Sequence, residues 1–398
     1  MSTVVDLSAP DTYTHGHPHE LFRELRNNDP VSWRLDFEGK GYWAITRYHD
    51  AMSVVRSPQT YSSWRGSVLM TDPSPEFLSA LRLSMLNRDP PDHTWMRRLV
   101  NKALNPRRIA ALEQRVHDQA HAVIAEVRPK GRCDFAQEVA EELPLFMISE
   151  ILGVPESDRR ALYALTDRMF TDEIMDPAEA MRDKFAAVGE MRRYGAELGA
   201  YKRQHPGDDL ATELATAELD GRTLVGGEFE AFFMMLFNAG TDTTRSLLSY
   251  GLDLMLDRPD ILDELRREPE KIPAAIEEML RYISPMIQIR RTANKDVELG
   301  GKRIAEGDRV IVFFPSANRD EAKFTDPDRF DLTRTPNDHI TFGYGTHFCI
   351  GAPLARLEAK HLFTEVLAQL HDLERAAPIV QARTNFIRSI RKLEISYS

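Results

Sequence analysis

Cysteine is almost missing from this sequence: 398 residues carry two, Cys133 and Cys349. Two thiols so far apart exclude a disulfide framework and fit a reducing compartment. No run of 18 apolar residues occurs, so no membrane-spanning helix is expected. The opening twenty residues have no basic region followed by an apolar core, and no secretory signal is expected from them. Positive charge is also in short supply, with 51 Lys and Arg against 62 Asp and Glu. The resulting net charge of −11 argues against general nucleic-acid binding. What remains is an ordinary globular composition, 42% hydrophobic and 28% charged. With no repeat, linker or low-complexity tract, the expectation is one cytoplasmic, monomeric domain over 1–398, mainly α with small β-sheets.

Helical periodicity predicts helices near 92–103, 107–128, 137–152, 158–170, 177–204, 226–257, 259–267, 273–283 and 352–371. A hairpin is expected from Val31–Arg34 and Tyr42–Ile45. Strand-like alternation runs from Gln288 to Val312, turning at Gly300-Gly301, and two short strands are expected near 384–388 and 391–396. Residues 59–89 read as a long irregular loop, and 315–341 as ordered coil.

Four stretches carry chemistry. Phe342-Gly343-Tyr344-Gly345-Thr346-His347-Phe348-Cys349-Ile350-Gly351 places a cysteine among glycines just ahead of an amphipathic run. Gly343, Gly345 and Gly351 predict a tight loop with positive φ, and a helix beginning near Gly351 would favour a thiolate at Cys349. A lone cysteine can equally be an inert buried hydrophobe. The second stretch, Ala239-Gly240-Thr241-Asp242-Thr243-Thr244, puts glycine and three threonines in mid-helix, a local conflict of the kind that marks functional sites. A threonine there can bond back to the i−4 carbonyl and open the helix, and Gly240 leaves room for a small ligand. Close packing against another helix would explain the glycine as well. Third, Glu278 and Arg281 share a helix face, and Phe324–Phe330 brings Arg329. Fourth, His93 and Arg97 lie four apart at a helix start, while Arg291 and His347 are further cations that could hold a carboxylate.

Together, in this order, the four stretches resemble the cytochrome P-450 family across almost the whole chain. The resemblance implies haem b between the central long helix and the cysteine-loop helix, with Cys349 as axial ligand to the iron. It implies further that His93, Arg97, Arg291 and His347 hold the propionates. Arg290 is an alternative to Arg291, although counting back from the Asp296–Leu299 strand favours Arg291. Ala239, Gly240, Phe342, Gly343, Ile350 and Gly351 would complete the cofactor site, with Phe342, Phe348 and Ile350 shielding the sulfur. Asp242 and Thr243 match the family's acid–alcohol pair for proton delivery, and Glu278, Arg281 and Arg329 its structural network.

The implied activity is a monooxygenase that inserts one atom of O2 into an apolar terpenoid, steroid, fatty acid or polyketide. No reductase domain is fused, so electrons would come from NAD(P)H through a separate reductase and ferredoxin. Arg98, Lys102, Arg356 and Lys360 could offer that ferredoxin a basic patch, or could simply keep the helices soluble. Met235, Asn238 and Ala239 share a stripe with Asp242 and Thr243, and so should face substrate. Further walls are expected from 62–87, 165–185, Ile287, Ile289, Phe386 and Ile387. Asn238 either donates to a polar group on the substrate or bonds a backbone carbonyl. The rival readings are a peroxygenase or decarboxylase on the same fold, and a haem-binding sensor without turnover. The intact acid–alcohol pair argues against both.

Overall fold

The computed structural model describes residues 5–170 and 176–398; the side chains of Lys102, Ala103, Pro106 and Pro177 lie outside that description. The central element is the 30-residue helix Glu228–Asp257. Its buried Phe229, Phe232, Phe233, Phe237, Leu247, Leu248 and Leu252 belong to the main hydrophobic core. An apolar surface nearly all round such a helix requires burial among other helices. The helices Glu142–Leu152, Pro177–Gln204, Ile272–Ile283 and Ala352–Gln369 pack against it.

Most boundaries agree with the periodicity, including Asp92–Ala103 and Pro177–Gln204. The segment expected as one helix over 137–152 divides into a π-helical turn, Ala136–Ala140, and the α-helix Glu142–Leu152. Pro144 thereby falls in the first turn, where its missing N–H costs nothing. The 107–128 helix is likewise two, Pro106–Ala111 and Glu113–Val127. The 59–89 loop contains a short strand, Tyr61–Ser62, and the helix Pro75–Leu81.

A five-stranded sheet runs in the order Val31–Leu35, Gly41–Ile45, Arg309–Phe313, Gln288–Ala293, Tyr61–Ser62. The first pair is the expected hairpin, with Trp33 opposite Trp43. Between the third and fourth strands lies the expected hairpin of Val297–Leu299 with Lys302–Ile304, turning on Gly300 and Gly301 at φ 56° and 73°. Residues 384–388 do not form a strand. Phe386 gives its carbonyl to the Ile287 N–H at 2.8 Å, and Met286 and Ile387 form an isolated bridge.

The coil before the cysteine loop is pinned by buried charge. Arg281 donates to both oxygens of Glu278 at 2.8 and 2.7 Å, and to the carbonyls of Asn318 and Pro327 at 2.9 and 2.8 Å. The third side chain of this network is Arg334, with Nε 3.1 Å from each Glu278 oxygen. The expected member, Arg329, is exposed and lends only its backbone carbonyl, to Arg281 and Arg334 at 3.2 Å each. The turn at Asp326, φ 46°, carries the chain past the pair before Arg334 comes into reach.

Candidate functional site

The loop ahead of the helix Ala352–Gln369 is built as its glycines suggest. Gly343 and Gly345 have φ 68° and 70°, a region open to glycine at no steric cost. A Cβ on Gly345 would come within 3.1 Å of the Val55 carbonyl, so that residue also permits a close approach. Gly351 departs from expectation: its φ is −81°, and a Cβ would meet only the Cys349 sulfur, at an ordinary 3.9 Å. The Cys349 N–H bonds the Phe342 carbonyl at 2.9 Å, closing the loop on itself. Cys349 is an exposed residue, although protein packed around its sulfur desolvates the thiol, whereas Cys133 is buried. Burial in the protein raises the Cys349 pKa; N–H groups of Gly351 and Ala352, with Arg97 and Arg356, oppose that without reversing it. The helix-terminal N–H groups thus favour the thiolate, as the sequence suggested, but they act against the larger effect of burial. Around it, Phe342 packs near Phe348 with rings 6.4 Å apart and beneath the Arg356 guanidinium at 4.6 Å. Ile350 packs against the main core, while Phe348 stays exposed.

Four basic side chains crowd beside this loop. The rings of His93 and His347 lie 4.1 Å apart. His93 is buried, and among the described residues neither ring nitrogen has a hydrogen-bond partner. Burial, then Arg97 and Arg291, bring its pKa down to about 4. Burial and then Arg291 push His347 lower still, to about 2. Arg291 is pulled down to about 10 by burial, with Asp89 as the opposing charge. Two arginines and two imidazoles held so closely are poised for an anion. Arg290, the alternative to Arg291, is spent elsewhere, on the Thr71 carbonyl at 2.8 Å and Asp72 at 2.6 Å. It points to the other face of its strand, as alternation requires.

On the central helix, Ala239, Gly240 and Thr243 are accessible in a stretch otherwise almost wholly buried. Thr243 Oγ1 bonds back to the Ala239 carbonyl at 3.0 Å, yet the helix continues without a break. Gly240 answers to packing: a Cβ there would stand 2.8 Å from Ile148, so the close helix–helix approach requires this glycine. Asp242 turns the other way. It is buried, Oδ1 has no hydrogen-bond partner among the described residues, and Arg245 lies 3.7 Å away. Burial raises its pKa and Arg245 only partly offsets that. Arg245 also reaches Glu141 at 3.5 Å and Ser389 at 2.7 Å. Arg245 and Glu141, with Tyr163 and Asp167, line a polar cleft of about 470 Å3. That cleft lies on the acid's side of the helix; the cysteine does not border it.

The expected substrate-facing residues divide. Met235 is buried, and Asn238 accepts from Thr166 Oγ1 at 2.7 Å. The bonding partner is thus a side chain 72 positions away rather than a backbone carbonyl. Among the described residues its Nδ2 meets the Met169 sulfur, at 3.9 Å. Nothing in the sequence pairs residues so distant, apart from the general expectation of a wall from 165–185. Residues 171–175 of that wall lie outside the described residues. Ile289 shares a strand face with Arg291, and Phe386 stacks near Phe170, rings 6.0 Å apart. Ile287 is a correction: it is fully buried in a separate core cluster with Phe22, Tyr42 and Phe313, behind the sheet. Ile387 is 8% exposed, held by its bridge to Met286.

The basic patch also fails to appear as expected. Arg98 pairs with Asp220 at 2.7 Å, Arg356 with Glu277 at 2.6 Å and Lys360 with Glu113 at 3.1 Å. The fourth member, Lys102, has its side chain outside the described residues. Acids from the chain itself thus neutralise three of the four charges. No helix among the described residues is long and apolar enough to cross a membrane.

Comparison with known proteins matches residues 169–374 to the family model described as cytochrome P-450. Cytochrome P-450 126 of Mycobacterium tuberculosis is 38% identical over 98% of this chain and 97% of its own length. Linalool 8-monooxygenase of Pseudomonas putida is 33% identical, covering 98% of both. A Mycobacterium marinum cytochrome P-450 solved in complex with pseudoionone superposes with a TM-score of 0.92 at 35% identity, over 99% of this chain and 98% of that one.

Proposed function

The chain belongs to the cytochrome P-450 family, and from that membership we propose that it is a haem-thiolate monooxygenase acting on an apolar small molecule, with Cys349 as the axial ligand. The observation that carries this reading is the exposed Cys349 at the head of the helix Ala352–Gln369, beside the four basic side chains. Those residues fit the group. Neither His93 ring nitrogen has a hydrogen-bond partner among the described residues, and with Arg97, Arg291 and His347 this side chain offers donors suited to two carboxylates. The Gly351 and Ala352 N–H groups offer the sulfur the donors that a metal-bound thiolate retains. Bound haem supplies oxygen activation and redox chemistry.

The protein's part is the handling of protons, water and substrate pose. Thr243 stands on the accessible face of the central helix, with its hydroxyl proton parked on the Ala239 carbonyl. Asp242 is buried beside Arg245, a residue that lines the polar cleft, and burial raises its pKa, which favours a proton on the acid. Asp242 and Glu141 share the Arg245 guanidinium, at 3.7 and 3.5 Å. In this reading electrons reach the haem from a ferredoxin-type protein and its reductase. Linalool and pseudoionone, named for two relatives, are both oxygenated terpenoids, and this supports a terpenoid as first candidate among the apolar substrates.

Haem reconstitution tests the ligand. The reduced, CO-bound wild type and Cys133→Ser should both show the red-shifted Soret band that gives the family its name, and Cys349→His should not. Retention of the band by Cys349→His would overturn the assignment. For the proton pair, Thr243→Ala should bind substrate but lose reducing equivalents as hydrogen peroxide. Asp242→Asn should slow turnover by about 10- to 1000-fold.

A further inference from the structure

Where the helix Glu156–Phe170 packs against the central helix, Thr166 meets Asn238, and both are buried, at 0% and 7% exposed. The Thr166 hydroxyl has two acceptors within reach, the Leu162 carbonyl at 3.4 Å and Asn238 Oδ1 at 2.7 Å. The shorter contact has the usual length of an O–H···O bond, so the single hydroxyl proton goes to the amide oxygen. That bond fixes which way the amide faces. Oδ1 turns back to Thr166, and Nδ2 turns towards Met169, whose sulfur it meets at 3.9 Å. A reversed amide would set an oxygen against that sulfur and leave the hydroxyl its longer bond.

A thioether is a weak acceptor, and the amide nitrogen carries two N–H donors. Among the described residues no better acceptor stands at Nδ2. Donors buried in apolar surroundings cost free energy until they find a partner. The surroundings on that side are apolar and partly open. Met169 and Phe170 are only half-buried at the end of their helix, and the Phe170 ring lies 6.0 Å from that of half-buried Phe386. Ala239, next to Asn238 on the central helix, is exposed, and Thr243 is half-buried. The donor thus stands at the edge of the open face that carries Thr243. A staple between two helices accounts for the Oδ1 bond, but a serine opposite Thr166 would make that staple without adding two donors.

Resting on the monooxygenase reading above, we propose that Asn238, held in orientation by Thr166, anchors the substrate by donating an N–H to its one oxygen, a carbonyl or hydroxyl on an otherwise apolar skeleton. The amide is neutral, so a ketone or alcohol suits it better than a carboxylate, which calls for a cation. Five residues of helix, about 7.5 Å of rise, separate the anchor from Thr243, so the carbon presented for oxidation is several bonds from the anchored oxygen. Thr166 acts through Asn238 and is a positioning residue.

Optical titration of the haem-loaded full chain tests this with two probes, pseudoionone and the hydrocarbon that carries CH2 in place of its carbonyl. The ratio of their Kd values is the quantity read, because its change on mutation cancels the difference in hydrophobicity and any general change in packing. Asn238→Leu, close in volume but without a donor, should shift that ratio against the ketone by about 3- to 100-fold. Asn238→Asp keeps an oxygen for Thr166 and loses the N–H groups, and should shift the ratio the same way. Thr166→Val keeps the donor but frees its orientation, and should shift the ratio by a smaller factor. No binding of pseudoionone by wild type, or a ratio unchanged in both Asn238 variants, would overturn the proposal and leave a helix staple. The Soret band of the reduced, CO-bound wild type is recorded first. Its failure to shift to the red would overturn the monooxygenase reading and the anchor with it, whereas an intact band with an unchanged ratio overturns the anchor alone. If Asn238→Leu does not take up haem, Asn238→Asp and Thr166→Val decide the matter.

Discussion

Glu358 is 1% exposed on the cysteine-loop helix, where the Thr244 hydroxyl stands beside its carboxyl. Burial pushes its pKa up to about 8, and the nearby Thr244 hydroxyl offsets that only in part. The folded protein therefore keeps a proton that the unfolded chain releases above its ordinary value of 4.5. Between those two values folding binds a proton, so stability falls as pH rises and levels off above about 8. Glu358→Gln has no proton to lose. It should match wild type near pH 5 and become steadily more stable than wild type towards pH 8, by at most roughly 5 kcal/mol. Denaturant unfolding at several pH values measures this, and a pH-independent difference would refute it. Asp242 and Glu141 are also raised by burial, but they remain in both proteins and cancel. At this scale the sequence was a partial guide. Cys349 was legible because glycines and aromatics surround it, whereas the Thr166–Asn238 bond joins helices that no local pattern relates.

At the scale of elements, the central helix shows why local reading succeeds for boundaries and fails for contacts. Its span follows from a long apolar periodicity, but the reason for Gly240 lies on another helix. Ala in place of Gly gains up to about 1 kcal/mol of helix propensity. Against that, a Cβ 2.8 Å from buried Ile148 forces a core shift, costing roughly 1–3 kcal/mol. The clash wins, so Gly240→Ala should destabilise by about 1–2 kcal/mol. Ile148→Ala alone should cost roughly 2–4 kcal/mol through its cavity. Combined, the two should cost at least about 1 kcal/mol less than their sum, because the new methyl occupies vacated space. Strict additivity in a denaturant cycle would show that Gly240 answers to something other than Ile148. The 384–388 segment taught the same lesson in reverse. Its alternation is strand-like, yet it pairs only as the isolated Met286–Ile387 bridge, through the Ile287 N–H to the Phe386 carbonyl and the Arg388 N–H to the Pro285 carbonyl, each 2.8 Å.

For the molecule as a whole, the question is what holds an irregular coil of some twenty residues, Asn318 to Thr341, against a helical body. Hydrophobic burial contributes through Phe324, Phe330 and Ile340, but coil backbone cannot satisfy itself by a ladder. Arg281 takes up three of its carbonyls and Arg334 three, counting Arg329's twice, while Glu278 neutralises both guanidinium groups and accepts from Asp331 N–H and Asn337. The Glu278 and Arg281 side chains are 1% and 0% exposed, and Arg334 is 8% exposed, so removing one partner leaves charge stranded in the interior. Such losses run to roughly 3–5 kcal/mol. The motif in the sequence pointed to Arg329, because the chain's turn at Asp326 cannot be seen from residue types alone. Two variants separate the alternatives. Arg334→Ala should lower stability by about 3–5 kcal/mol and reduce haem retention, since the coil leads directly into the cysteine loop. Arg329→Ala removes an exposed side chain while keeping the carbonyl that Arg281 and Arg334 use, and should change stability by less than about 0.5 kcal/mol. Denaturant unfolding of both, with haem release followed by transfer to an apo-globin acceptor, decides between them. A large loss in Arg329→Ala with a small one in Arg334→Ala would restore the assignment that the sequence favoured.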